Sequence, residues 1–198
     1  MIKNLGALAV GQLAERLVSG YYAHLAAIHV ATDPRAIALA PKTKLGFIVP
    51  VGYVKRKDGS EHVYHFNLFL AKARDDPNIK LDMERIWLSG AVLSVGDELS
   101  AHGYFDRAPE LELLRHVRNG IAHGNRFRLD NPKSLLKYPA HNRLAWVRSD
   151  LKTEFQIEAA HHGIPVLFSY MGPADVLDLL LSVGQYLNRM GNGDPLRP

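Results

Sequence analysis

An arginine and a histidine lie five residues apart in the stretch RNGIAHGN, residues 118–125 of this 198-residue chain. The guanidinium of Arg118 is always charged and offers a planar set of donors that fits phosphate oxygens. Histidine, here His123, is the side chain that most readily exchanges a proton near neutral pH. The two residue types together suit chemistry on a phosphate. The same residues also fit a simple structural alternative, a helix that ends at Gly124 and has no catalytic role.

The element that must position this pair is a helix. The spacing of apolar residues predicts a helix from about Pro109 to His123. On an ideal helix, the polar side chains within roughly 60° of Glu112 are Arg115, His116, Asn119 and His123. Arg118 lies about 140° from His123, so the two side chains meet only if the chain unwinds near Gly124 or if two copies pair.

Three further helices are predicted from apolar residues that recur at steps of three to five. They cover residues 2–31, about Asp82 to Ser100, and the segment that follows Gly172 and begins at Pro173. Asp82 is the expected cap of the second of these. Four helices make a helical bundle the economical architecture.

Two segments depart from the helical spacing. An Asp58-Gly59 turn separates two β-prone runs within residues 44–70 and predicts a hairpin, although residues 62–73 fit a helix equally well. Alternating residues from Leu151 to Glu158, a turn near Gly163 and the run IPVLF predict a second hairpin. The fold class expected is therefore mainly α, a four-helix bundle with one or two inserted β-hairpins.

The composition suits one compact domain over residues 1–190, followed by a flexible tail over residues 191–198. The formal net charge of +4 permits an anionic partner without requiring one. The chain has no cysteine, which excludes thiol catalysis and cysteine-bound zinc and fits a reducing cytoplasm. Its apolar runs are interrupted or too short to cross a bilayer, so no membrane partner is expected.

Motifs of other enzyme classes are absent from the sequence. It contains no phosphate-binding glycine loop before a lysine, no serine elbow between glycines, and no pair of histidines at metal-binding spacing on a helix. We therefore expect neither a metal nor a cofactor.

The arginine, the four intervening residues and the histidine, with polar Asn119 directly after the arginine, resemble the signature of the HEPN superfamily. In these higher eukaryote and prokaryote nucleotide-binding domains the motif lies in a late helix of a four-helix bundle. The signature of the family allows four to six residues between the arginine and the histidine, so Arg56 and His62, with five between them, also match it. They lie, however, on either side of the Asp58-Gly59 turn and on no predicted helix.

The resemblance implies a metal-independent endoribonuclease, often a toxin or defence factor, that works as a homodimer through its motif helices. It implies that His123 transfers the proton of the ribose 2'-hydroxyl and that Arg118 stabilises the phosphate, which leaves 2',3'-cyclic phosphate ends. Asn119 would orient His123 or bind a phosphate or base edge. The residues expected to attract the RNA backbone are Arg115, His116, Arg126 and Arg128.

One residue departs from the pattern of the resembled toxins. In those that pair with a nucleotidyltransferase antitoxin, a modified tyrosine commonly stands two residues after the histidine, where this chain has Asn125. The expected partners are RNA and an antitoxin or other regulatory protein, whose control would follow a different route. The alternative function is a non-catalytic module that binds RNA, nucleotide or protein through the same surface.

Overall fold

The computed structural model describes residues 4–43, 46–146 and 153–196. It is mainly helical, as predicted. The α-helices are α1 (Leu5–Ala31), α2 (Phe66–Asp75), α3 (Pro77–Ala101), α4 (Pro109–Ala122), α5 (Pro132–Leu135) and α6 (Pro173–Asn192). The strands are β1 (Val51–Lys55) and β2 (Glu61–His65), and short 3-10 turns cover Pro34–Leu39 and Ala159–His161.

The contacts of the chain divide into two compact units, whereas the sequence predicts one domain over residues 1–190. The larger unit comprises Met1–Tyr21 and Arg85–Pro198, and the smaller unit comprises Tyr22–Glu84. Helices α1 and α3 each contribute residues to both units.

The hydrophobic core lies in the larger unit. All four long helices contribute fully buried residues, among them Val18 of α1, Val95 of α3, Leu114 of α4 and Leu180 of α6. Removing this much apolar surface from water is the main term that stabilises the fold. The four predicted helices are therefore present, and they share one core.

The predicted beginning of the second long helix is wrong. Helix α3 begins at Pro77, so Asp82 lies in its second turn and cannot cap it. Proline is favoured in the first turn of a helix because it lacks the N–H that would have no partner there. The carboxylate of Asp76 accepts a hydrogen bond from the Asn78 N–H at 2.9 Å. Propensity alone could not distinguish this start from Asp82.

The hairpin around the Asp58-Gly59 turn is present. Strands β1 and β2 pair antiparallel, with Val51 opposite His65 and Lys55 opposite Glu61. Gly59 adopts a φ of +84°, the conformation that glycine permits in a tight turn. The helix that the same letters also favoured begins directly afterwards, at Phe66.

The second predicted hairpin is wrong over the residues that the structure describes. Leu151 and Lys152 lie outside them. Residues 153–158 pair with an earlier loop, where the Ile157 N–H donates to the Ala140 carbonyl at 2.9 Å. The following run pairs with the end of α4, where the Val166 N–H donates to the Asn125 carbonyl at 3.0 Å. Phe155 and Ile157 are both buried, as one face of an alternating segment would be, but the alternation could not identify the partners of this segment.

The predicted flexible tail is tied to α6 over its first residues. The helix continues to Asn192, and Gly193 closes it in the left-handed conformation at φ +76°. The Arg189 side chain then donates to the Pro195 carbonyl at 2.7 Å. Within the described residues, no helix is both long enough and apolar enough to cross a bilayer.

Candidate functional site

Arg118 lies in the last turns of α4, and its side chain reaches across α3. Its Nε and Nη2 donate to Asp97 Oδ1 at 3.0 and 2.5 Å, and its Nη1 donates to Asn119 Oδ1 at 3.2 Å. The stem of Arg118 fits over Gly96, where a Cβ would lie 2.5 Å from its Cγ. The side chain is 28% exposed. Three of the five guanidinium N–H groups are therefore engaged, and two remain for another acceptor.

His123 caps the C-terminus of α4 and is exposed. Its backbone N–H donates to the carbonyls of Asn119 at 3.1 Å and Gly120 at 3.3 Å. Its imidazole makes no hydrogen bond to any residue that the structure describes. The ring is therefore available to a ligand.

The structure does not unwind the helix between Arg118 and His123. The helical bond from the His123 N–H to the Asn119 carbonyl is intact, and the backbone turns left-handed only at Gly124 (φ +82°) and Asn125 (φ +61°). The angle of roughly 140° between the directions of the two side chains therefore persists. Unwinding near Gly124 was one of the two routes by which the pair could meet. It does not bring the two side chains together, because the backbone becomes left-handed only after His123.

The predicted polar stripe of α4 is largely internal. Glu112 has no exposed surface, and its carboxylate accepts from Arg107 Nη1 at 2.9 Å and from Arg115 Nε at 2.6 Å. Arg115 also donates to the Leu135 carbonyl at 2.9 Å. A buried carboxylate needs such partners, because an unpaired charge in the core is strongly unfavourable. Arg115 therefore serves the interior of the protein.

His116 is part of the same network and is 4% exposed. Burial and the neighbouring Arg115 charge lower the pKa of His116 to about 4, although a hydrogen bond involving Leu135 opposes the shift. The ring is thus neutral at neutral pH, and its Nε2 lies 3.1 Å from Arg115 Nη2, to which it is the acceptor. Burial removes His116 from contact with an RNA surface, contrary to the role expected for it.

Arg126 and Arg128 lie on the segment that follows α4, and both are exposed. Arg126 donates to the Gly163 carbonyl at 2.7 Å, and its backbone N–H donates to the Gly120 carbonyl at 2.9 Å. The Arg128 side chain makes no hydrogen bond or ion pair within the described part of the chain. These two residues carry the surface positive charge beside the end of α4.

Asn125, which stands where the resembled toxins have a tyrosine, is a structural residue here. Its Oδ1 accepts from the Leu167 N–H at 2.8 Å, and its Nδ2 donates to the Leu167 carbonyl at 3.3 Å. Asparagine tolerates the left-handed conformation better than most residues. The side chain thereby fastens the end of α4 to the segment before α6.

The other arginine and histidine of matching spacing lie on the hairpin. Arg56 Nη2 is 3.4 Å from His62 Nδ1, and Arg56 Nη1 donates to the Glu61 carbonyl at 2.8 Å. Both side chains are exposed and bracket the Asp58-Gly59 turn. They form a contact within the hairpin and lie on no helix.

The sequence did not single out Asp97, the carboxylate that holds Arg118. A glycine directly before an acidic residue within a predicted helix, as at Gly96, was the available signal. Such a glycine permits another helix to place a long side chain close to the backbone.

Comparison with known proteins does not decide the family. No family model, curated protein or solved structure matches the chain. The HEPN resemblance therefore remains a prediction that rests on Arg118, Asn119 and His123. In the part of the chain that the structure describes, three or more His, Cys, Asp or Glu residues never cluster closely enough to hold a metal ion.

Proposed function

We propose that the chain is a metal-independent endoribonuclease of the HEPN type, with His123 in proton transfer and Arg118 on the phosphate. The observation that carries the proposal is the end of α4, where an exposed imidazole without a hydrogen-bond partner follows an arginine that keeps two donors. In the reaction, a base removes the 2'-hydroxyl proton, that oxygen attacks the adjacent phosphorus, and the 5'-oxygen leaves with a proton.

Asn119 has a different role in this proposal from the one expected. Because its side chain accepts from Arg118, Asn119 helps to hold the guanidinium and does not orient His123. The charges that attract RNA are Arg126 and Arg128, since Arg115 and His116 serve the interior.

The paired site needs a second copy of the chain in this proposal. The side chains of Arg118 and His123 diverge within one α4, so one phosphate is contacted by both only if each copy supplies one of them. Most of α4 is buried in its own chain, from Glu110 to Val117 apart from Arg115. A homodimer through the motif helices therefore has only the last turn of α4 to use.

The test is cleavage of bulk RNA in EDTA by wild type, Arg118→Ala and His123→Ala, each checked by circular dichroism. Matched controls are the exposed Arg16→Ala and His29→Ala. We expect both site variants to lose at least a hundredfold in rate, the controls to keep it, and the products to carry 2',3'-cyclic phosphate. No cleavage by wild type, or equal loss in the controls, would refute the assignment.

A non-catalytic binding module is the second candidate, and one contact favours it. Arg118 is held by Asp97 and lies on a different side of α4 from His123. A module of this kind would bind RNA through Arg126 and Arg128 without cleaving it, and His123→Ala would leave its affinity unchanged.

A further inference from the structure

The smaller unit leaves most of its apolar side chains exposed. Fifteen of the nineteen exposed large apolar residues in the described chain lie within residues 22–84, and Ile48 (99%) and Leu39 (73%) are the most exposed of these. In this unit, only Ala36 and Val51 are buried among the described hydrophobic residues, and no residue of the main core belongs to it. A unit of this size without a core needs further surface to cover it.

The exposed apolar area of the smaller unit, summed over several elements, is comparable with the area that a stable interface buries. An aromatic side chain covers roughly 150–250 Å² and an aliphatic one somewhat less, so the exposed parts of these fifteen residues amount to on the order of 1,000 Å². A stable complex buries about 800 Å² on each partner. Residues 22–84 carry nine Lys and Arg against seven Asp and Glu, so two copies of this surface repel each other little.

The hairpin offers a specific point of attachment, the outer edge of β2. The Arg56 N–H donates to the Ser60 carbonyl and the Phe66 N–H donates to the Pro50 carbonyl, so the even-numbered pairs are the hydrogen-bonded ones. The N–H and C=O groups of Glu61, Val63 and His65 therefore point away from β1. Among the described residues the sheet has two strands, so these groups point toward its outer edge.

This edge is complementary to itself. If two copies of β2 pair antiparallel about Val63, each Val63 faces its equivalent in the other copy, and Glu61 of one copy faces His65 of the other, twice. A neutral or protonated imidazole has an N–H that can donate to the carboxylate. The same operation on β1 about Tyr53 places the buried Val51 opposite Lys55, which offers no such pair. The edge of β2 is thus the better fit to a second copy.

We propose that β2 pairs antiparallel with β2 of a second copy of this chain, making a four-stranded sheet across a two-fold axis. The operation is isologous, so the contact closes on itself. The Glu61 carbonyl already accepts a hydrogen bond from Arg56. On pairing, this carbonyl either accepts from both donors, because it has two lone pairs, or loses its bond to Arg56. The inference rests on residues of the smaller unit alone and stands whether or not the chain cleaves RNA.

Engineered cysteines test the register directly, because the native chain contains none. In a hydrogen-bonded antiparallel pair, facing Cα atoms are about 5.5 Å apart, within the range that a disulfide spans. Val63→Cys in the full-length protein should form a disulfide-linked dimer on mild oxidation. The control is Tyr53→Cys, on the other strand of the same hairpin and the more exposed of the two, at 53% against 37%. Equal cross-linking of the two variants would overturn the proposal.

Proline at the same two positions provides the second test. In the register of the hairpin, the Val63 N–H and the Tyr53 N–H each point away from the facing strand, so proline at either position keeps the hydrogen bonds between β1 and β2. We expect Val63→Pro to weaken self-association by roughly tenfold in sedimentation velocity and Tyr53→Pro to leave it unchanged. A wild type that is monomeric throughout the micromolar range, or an association that Val63→Pro leaves unchanged, would contradict the proposal.

A charge exchange covers the case in which a proline variant fails to fold. Glu61→Lys alone should weaken association, and the double variant Glu61→Lys with His65→Glu should restore it, because the facing pair regains opposite charges. If the double variant associates no better than the single one, the pairing of Glu61 with His65 is wrong.

Discussion

At the scale of single residues, the environment of Arg118 matters as much as its identity. Its guanidinium is held by Asp97, an exposed carboxylate, beside the end of α4. A negative charge that close competes with a phosphate for the same donors. Asp97 therefore limits how strongly Arg118 can bind an anion.

The first prediction concerns this competition. Asp97→Asn should tighten the binding of a short RNA by roughly threefold to tenfold, because it removes the competing charge and keeps an acceptor for Arg118. The Asp97 side chain is 60% exposed, so the free energy of unfolding should change by less than about 1 kcal/mol. Fluorescence anisotropy measures the affinity.

The control for Asp97→Asn is Glu98→Gln, which removes the same charge from the next, exposed residue. It should change the affinity far less. Weaker binding by Asp97→Asn would mean that the carboxylate positions Arg118 for RNA.

The second prediction at this scale concerns His116. Its pKa in the folded protein is about 4 against an ordinary 6.5, so the unfolded chain binds its proton at a higher pH. The neutral, buried ring of His116 therefore contributes its full stability above the unfolded pKa of 6.5. This contribution is lost as the pH falls from there towards the folded pKa of about 4. Unfolding free energy should drop by up to about 3 kcal/mol between neutral pH and pH 4 from this residue.

Urea unfolding across that pH range tests the point. His116→Gln should flatten the pH dependence, whereas His123→Gln, which changes an exposed ring, should leave it as in wild type. If the pH dependence of the unfolding free energy is the same in His116→Gln as in wild type, the protonation of His116 does not cause it.

At the scale of elements, the end of α4 is fixed by the chain that follows it. Gly124 and Asn125 take left-handed conformations, and Asn125 then binds both backbone groups of Leu167. This arrangement fixes the position of Arg126 and the orientation of the exposed His123 at the end of α4.

The third prediction separates the two contributions of Asn125. Asn125→Ala should lower the free energy of unfolding by about 1–3 kcal/mol, because it loses both hydrogen bonds and adds backbone strain. Asn125→Gly loses the same bonds without the strain and should cost less. Denaturant midpoints at an unchanged slope measure the difference. An equal cost for both variants would mean that strain is negligible there.

The elements also show what could be predicted from the sequence. The spacing of apolar residues predicted α1, α3, α4 and α6, because a stripe of residues that faces the core repeats with the period of the helix. The same reasoning failed on α4's opposite face. Glu112 and His116 have polar side chains at positions that periodicity assigns to solvent. Their burial is tolerable because Arg107 and Arg115 pair with Glu112, and Arg115 also contacts His116 and the carbonyl of Leu135.

The sequence also could not identify which segments pair with each other. Phe155 and Ile157 alternate as a strand would, and both are buried, yet their segment bonds to the loop at Ala140. Alternation reports which side is buried, whereas the partner depends on the closure of a long loop. The Asp58-Gly59 hairpin was accessible because its turn residues fix the register locally.

At the scale of the whole molecule, the proposed ribonuclease site is shared between copies. This sharing can be tested by mixing two inactive variants. Arg118→Ala and His123→Ala, allowed to exchange subunits, should regain about a quarter of wild-type cleavage, since half the dimers are mixed and one of their two sites is intact. Residual activity no higher than that of either variant alone would place both residues of a site in one chain.

The uneven burial of the chain also bears on how it opens. Helix α1 passes from the well-buried Tyr21 into residues 22–31, none of which is buried, and α3 passes the other way at Arg85. Local opening is cheapest where few apolar contacts must break. Amide hydrogens should therefore exchange rapidly in the second half of α1 and slowly in its first half, although both lie in one continuous helix. Protection of the Val63 amide should rise with protein concentration, so a single exchange experiment would read out both the internal boundary of the fold and the contact between copies.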